Sequence, residues 1–342
     1  MKKILSLVLA LCMVMSLAAC GQKADGDQSN TDNEVEENTP IKLRFAELNA
    51  ENSNAGKMDK RVMELCEAAD VGLSFDFYPN GSLVSQDMEA VQAGLCDIMM
   101  MTFSTASSIY APMGAFDAPY IITDVEQAEK VFDYESAAST KLNENLVPLG
   151  VRFLGSYYAG NRNTSTTNKP IYSVDDMKGL KIRVVNGDLW ISLFRAFGAE
   201  PTPMAMSEVS SALVTGVCEA QENPYSSFVT NKMYEIQDYA IETGHMPANY
   251  PYFINEATFN KLSKAQQEVL INAVQQAANE TTERLHDQME EDKQLCIDNG
   301  MTVIGVEDGL DLDSFKKAAM SVYDEYRDAW GDMPDTIRSC YE

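Results

Sequence analysis

The sequence predicts an α/β fold with two lobes and one long helix that lies across both. Three observations support this prediction. The body of the chain, from Ile41 to the C-terminus, has ~300 residues, which is more than one hydrophobic core usually organises. Short β-rich runs alternate along it with segments of helical periodicity. Residues 263–298 predict a helix of ~36 residues, roughly 54 Å long, without the sustained heptads of a coiled coil.

The first part of the body predicts a parallel sheet. Residues 43–48 and 73–78 are strand-like, and a helical pattern lies between them. Ser85 can cap a second helix that runs to Ala93. Residues 97–102 are mostly apolar without alternation, as in a strand that is buried on both faces. This β-α-β-α-β order is typical of a parallel sheet with helices on both sides.

The second part repeats the alternation. A strand over residues 152–158 is followed by a polar segment, 161–168, which we interpret as a loop. The pattern then predicts a helical turn at 173–179, a strand at 180–185, a helix that ends at 197, a helix at 207–216 and a strand at 218–222. Residues 239–243 and 252–255 predict two further strands, which would cross between the lobes.

The long helix has clear start and stop signals. Ser263 and Gln266 form an S-x-x-Q capping box. Apolar residues then recur at i+4 spacing, and Asn299-Gly300 supplies the stop. A helix of this length is predicted to act as a spine across both lobes. A strand at 303–306 and a final helix at 313–330 complete the prediction.

The N-terminus indicates export. Residues 1–3 include two lysines, and residues 4–19 form an almost unbroken apolar run. These features predict a secretory signal peptide, residues 1–19, rather than a membrane-spanning helix. Small residues precede Cys20, which suits cleavage directly before a cysteine that then carries lipid. The alternative is an ordinary signal peptide with a chance cysteine at the cleavage site.

Residues 20–40 are predicted to form the lipidated cysteine and a flexible acidic tether. They are rich in polar and acidic residues and show no apolar periodicity, so burial cannot offset the entropy of ordering them. A tether of ~19 residues reaches on the order of 25 Å. The predicted localisation is therefore extracytoplasmic, on the outer face of the cell membrane.

Composition argues against several functions. The net charge of −26 argues against a nucleic-acid partner, because phosphate contacts need Lys and Arg. The two histidines, His245 and His286, are far apart, so we expect neither a metal site nor a cofactor. The absence of a nucleophile or acid–base motif argues against an exported enzyme. A disulfide between Cys296 and Cys340 is possible outside the cytoplasm, and the sequence does not decide whether it forms.

The stretch from residue 173 to residue 245 carries the most specific signal. It contains V-D-D-M-K-G-L-K-I-R-V at 174–184, P-T-P-M at 201–204, S-E-V at 207–209 and Q-E-N-P at 221–224. In this order and spacing the motifs resemble the solute-binding proteins of tripartite ATP-independent periplasmic (TRAP) transporters, the DctP type. The likeness covers residues 41–330 in element order and is most specific from 162 to 245.

The resemblance implies a periplasmic-binding-protein-like fold with a ligand cleft between two lobes. The lobes would comprise residues 41–158 plus 249–285 and residues 159–248 plus 286–342. It also implies that the protein, which we expect to be a monomer, captures a small organic acid and delivers it to TRAP membrane permease subunits. The alternative is a ligand-sensing lipoprotein that presents the bound acid to a membrane sensor kinase.

The resemblance implies particular ligand-binding residues as well. Arg183 matches the arginine that pairs with the ligand carboxylate, a role that suits the two parallel N–H donors of a guanidinium. Arg162 lies near a second cleft arginine, and Asn223 matches an asparagine whose side chain reaches the ligand. Glu222 is interpreted as structural, holding an arginine.

Three further residues are candidates for the cleft wall. Met206 stands where many members place an aromatic residue, and Thr102 stands where some carry a glutamate. Phe228 is an aromatic candidate, with core packing as the alternative. Because Thr102 is not acidic, the resemblance does not extend to the ligand preference of members that use that acid, such as sialic-acid binders.

Overall fold

The computed structural model describes residues 39–84 and 88–342. The predicted signal peptide, the lipidation site Cys20 and nearly all of the predicted tether lie outside the described residues. The predicted helix cap Ser85 also lies outside them. Thr39 and Pro40 lead directly into the first strand.

In the described part of the chain, nine strands form one mixed sheet. They are β1 Ile41–Ala46, β2 Leu73–Tyr78, β3 Ile98–Met100, β4 Val151–Thr166, β5 Lys181–Val184, β6 Glu200–Pro203, β7 Ala220–Asn223, β8 Tyr239–Asn255 and β9 Thr302–Ile304. The strand order is β2-β1-β3-β8-β4-β7-β5-β6, and β9 pairs with β8.

Twelve α-helices pack around this sheet in the same described ranges. They are α1 Asn54–Ala68, α2 Met88–Gln92, α3 Phe103–Ala106, α4 Val125–Phe132, α5 Ala137–Leu146, α6 Asp188–Ala196, α7 Met206–Val214, α8 Tyr225–Thr230, α9 Glu256–Phe259, α10 Lys264–Asp298, α11 Leu312–Trp330 and α12 Met333–Arg338. The sequence analysis did not predict β6, α3, α4, α5, α8, α9 or α12.

Two parallel three-stranded units flank a pair of long antiparallel strands. β1 pairs in parallel with β2 and β3, and β5 pairs in parallel with β6 and β7. Between the two units, β4 and β8 run antiparallel along almost their whole length. The predicted β-α-β-α-β sheet is confirmed, and so is the α/β fold class with strands that cross between its two parts.

The long strands differ from the predictions in two respects. β4 continues through Thr166, so the prediction of a loop at residues 161–168 is wrong for most of that segment. β8 is a single strand of 17 residues, whereas the sequence pattern predicts separate strands at 239–243 and 252–255. Arg162 therefore projects from a central strand and not from a loop.

Buried polar contacts explain why a strand resembles a loop in the sequence. Ser165 Oγ donates to Gln237 Oε1 at 2.5 Å, and the Thr164 and Thr243 hydroxyls lie 3.3 Å apart. These side chains find their hydrogen-bond partners across the sheet. The backbone groups of β4 pair with β7 on one side and with β8 on the other. A polar composition is thus compatible with a fully paired central strand.

Helix α10 confirms the predicted long helix. It has 35 residues and follows a capping box in which Gln266 N donates to Ser263 Oγ at 3.2 Å and Ser263 N donates to Gln266 Oε1 at 3.0 Å. At 1.5 Å per residue it spans roughly 52 Å. Leu270 and Leu285 belong to one apolar cluster, and Cys296 belongs to another. The helix therefore joins separate parts of the core, as expected for a spine.

Gly155 permits α10 to approach β4 closely. It lies at a bulge of β4, and a Cβ atom there would lie 2.5 Å from Gln275 Nε2 and 3.2 Å from Val274 Cγ1. The Gln275 amide cannot withdraw without losing its 2.7 Å hydrogen bond to Leu154 O. We expect Gly155→Ala to lower the free energy of unfolding by about 1–3 kcal/mol in urea denaturation. Adding Gln275→Ala should restore part of the lost free energy of unfolding. If Gly155→Ala alone were as stable as the wild type, the close contact would be contradicted.

The largest apolar cluster contains residues from both predicted lobes. Phe103 and Phe153 belong to it, and so do Ile182 and Phe194. Helix α11 also contacts both parts, since Tyr323 OH donates to Pro119 O at 2.7 Å and Glu325 Oε1 accepts from Ser192 Oγ at 2.8 Å. The lobe boundaries given by the sequence remain a prediction.

The five cysteines of the described residues are free thiols. Cys296 is buried in a cluster with Cys218 and Met301, whereas Cys340 packs against the cluster that contains Trp330. The possible Cys296–Cys340 disulfide is therefore not formed.

Two buried carboxyl groups lie together, one directly after β1 and one on α1. Glu47 and Asp59 are both fully buried, and Tyr252 OH donates to Asp59 Oδ1 at 2.8 Å. Burial raises the pKa of both groups, and the charge of Glu47 raises the pKa of Asp59 further. Acids whose pKa is raised by folding bind protons more tightly in the folded state. Their contribution to stability therefore falls as pH rises from the ordinary carboxyl range toward the raised values.

We expect Asp59→Asn to raise the free energy of unfolding at pH 7, because folding raises the pKa of the Asp59 carboxyl and an acid with a raised pKa costs stability above its ordinary range. The amide keeps the acceptor for Tyr252 and removes the charge. Urea denaturation between pH 4 and pH 8 measures the change, which should grow with pH. Asp287→Asn, on an exposed position of α10, is the matched control. A variant that is less stable than the wild type at pH 8 would refute the argument.

Candidate functional site

The candidate site lies where β4, β7 and β5 run side by side. β5 and β7 are parallel and end at Val184 and Asn223, and the carboxyl ends of parallel strands are where α/β sheets present ligand-binding residues. Arg183 lies one residue before the end of β5. Arg162 comes from β4, whose Asn163 pairs in register with Asn223. The sheet thus brings three of the predicted site residues together.

Arg162 is 4% exposed and is held by β7. Its Nε donates to Glu222 Oε2 at 2.5 Å, and its Nη2 donates to Glu222 Oε1 at 2.9 Å. Nη2 also donates to the Glu222 carbonyl at 2.9 Å and to Asn223 Oδ1 at 3.0 Å. This two-point ion pair balances the charge of Arg162 inside the protein. The interpretation that Glu222 holds an arginine is confirmed.

Glu222 remains ionised although it is fully buried. Burial would raise its pKa, but the charge of Arg162 and hydrogen bonds from His245 and Arg162 outweigh burial and hold the pKa of Glu222 at about 2. His245 Nε2 lies 3.3 Å from Glu222 Oε2, and its Nδ1 lies 2.9 Å from Thr243 Oγ1. Burial lowers the pKa of His245 despite Glu222, so the imidazole is neutral at pH 7.

Arg183 is 3% exposed, and no described carboxylate forms a salt bridge with it. Its Nε and Nη2 both donate to the carbonyl of Met204, at 3.0 and 2.8 Å. Its Nη1 is buried and has no acceptor among the described residues. Burial, together with the nearby charge of Arg162, lowers the pKa of Arg183 to about 10 despite the charge of Glu222. Arg183 is thus a buried cation with an unused donor.

Asn223 links Arg162 to side chains of β7 and α7. Its Oδ1 accepts from Arg162, and its Nδ2 donates to Gln221 Oε1 at 2.6 Å. The same Nδ2 lies 3.8 Å from Met206 Sδ at the start of α7. Met206 therefore lies beside Asn223. Its role toward a ligand, like that of Asn223, remains a prediction.

Two predicted wall residues have other contacts. Phe228 is fully buried, and its ring meets the ring of Tyr225 edge to face at 5.6 Å within a cluster that also contains Cys218. These are the contacts of a core residue. Thr102 caps α3, because its Oγ1 accepts from Thr105 N at 3.2 Å. Neither residue contacts the arginines by any hydrogen bond of the described residues, and their ligand roles remain predictions.

The sequence analysis missed Asp117. This carboxyl is 1% exposed and accepts from Ser104 N at 2.8 Å and Ser104 Oγ at 2.9 Å. Burial raises the pKa of Asp117 to about 7, although the Ser104 bonds and the charge of Arg162 act in the opposite direction. A lone acid within the apolar run 113–118 is a sequence signal for such a buried carboxyl. His245 was also missed as a site residue.

Trp190 adds a second buried donor without an acceptor. Its side chain is 2% exposed, and its Nε1 has no hydrogen-bond partner in the described residues. The guanidinium carbon of Arg162 lies 6.0 Å from its ring centroid. The site therefore combines Arg183 Nη1 and Trp190 Nε1 as unused donors around one buried ion pair.

The burial of both arginines has a consequence for access. Arg162 and Arg183 are 4% and 3% exposed, so a solute from the solvent can reach them only if the surrounding elements separate. A small cavity of about 20 Å³ lies beside the site, where Asn161 of β4 faces Pro224 and Tyr225. It can hold about one water molecule. The arrangement in this structure is therefore a closed one.

Within residues 39–84 and 88–342, no three His, Cys, Asp or Glu side chains are grouped so that they could hold a metal ion. A search of the same ranges finds no helix with the length and apolar character needed to cross a membrane.

Comparison with known proteins gives consistent matches. A model of the DctP family, described as bacterial extracellular solute-binding protein, family 7, matches residues 45–329. The sialic acid-binding periplasmic protein SiaP of Vibrio cholerae is 29% identical over 275 residues, which cover 80% of this chain and 83% of that protein. The C4-dicarboxylate-binding periplasmic protein DctP of Rhodobacter capsulatus is 33% identical over 231 residues, covering 65% and 67%.

Solved structures give the same picture of the fold. A TRAP periplasmic solute binding protein from Rhodobacter sphaeroides, crystallised in an apo, open and partially disordered form, superposes with a TM-score of 0.76 at 29% identity. The match covers 87% of this chain and 99% of that one.

Proposed function

Because the chain belongs to the DctP family of bacterial extracellular solute-binding proteins, family 7, we propose that it captures a small organic acid and delivers it to a TRAP-type secondary transporter. Two of its relatives, as their names state, bind sialic acid and C4-dicarboxylates. Both kinds of ligand carry a carboxylate. These names support an acid as the ligand of this protein.

The observation that carries the proposal is the buried cation of Arg183. A guanidinium that is removed from water without an anionic partner is unfavourable, and a bound carboxylate relieves this cost. Arg183 Nη1 is a buried donor with no acceptor among the described residues. A carboxylate placed against Nη1 would complete the hydrogen bonds of the guanidinium and balance its charge.

Arg162 and Asn223 complete the proposed site. The Glu222 ion pair fixes the Arg162 guanidinium in one orientation, with Asn223 Oδ1 bonded to the same Nη2 atom. Asn223 offers both a donor and an acceptor, which suits hydroxyl or oxo groups of an acid. Met206 and Thr102 are proposed as cleft-wall residues beside them. For Phe228 the core contacts favour packing over ligand binding.

Capture requires opening and closing of the cleft. The arginines are buried here, so we propose that an open form admits the acid and that hinge closure of the lobes 41–158 plus 249–285 and 159–248 plus 286–342 surrounds it. The open apo relative from Rhodobacter sphaeroides supports such a form. The ligand favours the closed state through contacts that exist only there, chiefly those to Arg183.

The proposed location is the outer face of the cell membrane. The signal peptide 1–19, lipid on Cys20 and the acidic tether 20–40 would hold the body near the permease. We propose that the protein acts there as a monomer. Mass spectrometry of the mature N-terminus checks the proposed lipid anchor, since an unmodified or absent Cys20 would contradict it.

The alternative recipient is a membrane sensor kinase that reads the bound acid. Capture would be identical, and only the partner would differ. Uptake of the acid in a deletion strain separates the two, because loss of uptake supports transport and loss of a transcriptional response alone supports sensing.

A thermal-shift screen of residues 39–342 against organic acids tests the proposal. An acid at 100 times its dissociation constant should stabilise the protein by about 2.7 kcal/mol. Neutral amides and alcohols of the same carbon skeletons are the matched controls. Stabilisation by acids alone supports carboxylate capture, whereas stabilisation by neutral solutes alone refutes it.

A further inference from the structure

Trp190 is the third residue of α6, the helix that follows β5. Only residues 185–187 separate the end of β5 from the start of α6, so the first turn of α6 lies at the carboxyl end of β5. This is the edge at which α/β sheets bind their ligands. Trp190 therefore occupies a position from which its side chain can contact a bound solute.

Core packing accounts for the Trp190 ring but not for its N–H group. Leu193 and Phe194 lie three and four residues after Trp190, and all three belong to one apolar cluster on the buried face of α6. A phenylalanine would fill this face without burying a polar group. The Trp190 side chain is 2% exposed, and its Nε1 has no acceptor among the described residues. A buried donor without a partner costs stability, and buried tryptophans usually place the N–H against an acceptor.

The neighbours of the indole ring restrict the direction of this N–H. A Cβ atom on Gly187 would lie 3.2 Å from Trp190 Cε3 and 3.6 Å from Cζ3, so this edge of the ring packs against the start of α6. Nε1 is on the opposite edge of the indole and points away from that backbone. The guanidinium carbon of Arg162 lies 6.0 Å from the ring centroid. The ring is therefore fixed along one edge and lies beside the buried ion pair of Arg162 with Glu222.

The chemistry of the indole N–H limits what it can bind. It is uncharged and acts only as a donor, so its partner must be an acceptor. A carboxylate is better served by a guanidinium, because hydrogen bonds between ionised groups are roughly twice as strong as neutral ones. The N–H of Trp190 is thus suited to an uncharged oxygen. Hydroxyl and oxo groups both accept a hydrogen bond, whereas a methylene group does not.

We infer that Trp190 Nε1 donates a hydrogen bond to a hydroxyl or oxo oxygen on the carbon chain of the bound acid. The inference rests on the proposed function, since it assumes that the ligand is an acid. Trp190 is then a specificity-determining residue, because an acid without such an oxygen leaves the N–H buried and unpaired. It favours hydroxy and oxo acids alike over the unsubstituted acid of the same skeleton.

Matched acids and the variant Trp190→Phe test the inference. We would measure dissociation constants by isothermal titration calorimetry at pH 7 with residues 21–342. Suitable pairs are L-lactate or pyruvate with propionate, L-malate with succinate, 2-oxoglutarate with glutarate, and D-gluconate with hexanoate. Each pair shares its carbon skeleton, and one member lacks the hydroxyl or oxo oxygens. Phe keeps an aromatic ring on the buried face of α6 and removes only the donor edge.

We expect the wild type to bind the oxygen-substituted member of a pair more tightly. Trp190→Phe should reduce this preference by about 3- to 10-fold, the usual effect of losing one neutral hydrogen bond. The ratio within a pair separates the N–H from the packing of the ring, since a packing defect weakens both acids equally. An unchanged ratio would overturn the inference.

Indole N–H signals give a second measurement on the wild-type protein. The chain has two tryptophans, so ¹⁵N labelling yields one indole signal from Trp190 and one from Trp330. Trp330 ends α11, where its ring stacks on Tyr326 at 5.1 Å, and it serves as the internal control. The oxygen-substituted acid should move the Trp190 signal downfield more than its unsubstituted partner does. Trp330→Phe assigns the signals if Trp190→Phe does not fold.

The outcomes separate this inference from the proposed function. If acids bind but both members of a pair move the Trp190 signal equally, the inference fails and the proposed function stands. If none of these acids binds to the wild type, both fail.

Discussion

Replacing Arg183 with Met should weaken acid binding by about 2–5 kcal/mol, which corresponds to roughly 30- to 4,000-fold in dissociation constant. Met fills similar space without charge, so the carboxylate would be buried without a partner. The free energy of unfolding without ligand should change by less than about 1–2 kcal/mol, because loss of the Met204 hydrogen bonds is offset by removal of an unbalanced buried cation. Calorimetry and urea denaturation measure the two quantities.

Lys181→Met is the matched control for this experiment. Lys181 lies on the same strand, β5, and is exposed. The control removes the same formal charge and should leave acid binding within about twofold, since exposed charges contribute little to contacts at a buried site. Equal binding by Arg183→Met and the wild type would mean that the carboxylate is held elsewhere.

Replacing Glu222 with Gln should lower the free energy of unfolding by about 3–5 kcal/mol, the usual cost of breaking a buried ion pair from one side. The amide retains one acceptor for Arg162 but leaves its charge unbalanced in the interior. Urea denaturation at pH 7 measures the loss. Glu219→Gln, at an exposed position just before β7, is the matched control and should stay within about 0.5 kcal/mol of the wild type.

The pH dependence of this variant has a defined sign. Folding lowers the pKa of Glu222 from 4.5 to about 2, so its stabilisation is present above pH 4.5 and is lost as pH falls toward 2. The deficit of Glu222→Gln should therefore be largest at neutral pH and shrink as pH is lowered from about 4.5. A deficit that does not depend on pH over this range would show that Glu222 acts through packing rather than through charge.

Local patterns along the chain predict much of the fold. The capping box at Ser263, the i+4 apolar repeat and the stop at Asn299-Gly300 place α10 to within one residue at either end. The apolar run at residues 97–102 predicts the buried strand β3. These features depend on contacts within a few residues, so the sequence states them directly.

The central strands could not be predicted in the same way. Residues 161–168 have the composition of a loop, and the register of β4 is decided by β7 and β8, whose paired residues lie up to 104 positions further along the chain, as Asn255 does from Val151. Thr164 and Ser165 are buried because partners in β8 and the segment before it satisfy them. Strand pairing over such separations is a property of the tertiary structure and leaves no local pattern.

The same division holds for the candidate site. The motifs of residues 174–224 were enough to identify the family, and the resemblance selected Arg183, Arg162 and Asn223 as candidate site residues. The sequence alone could not show which arginine is balanced and which is free, because charge balance depends on distances between strands β4, β7 and β5. Folding places Glu222 against Arg162 and leaves Arg183 with a carbonyl. The sequence determined which cations are present, and the tertiary structure decided which of them is paired with a carboxylate inside the protein.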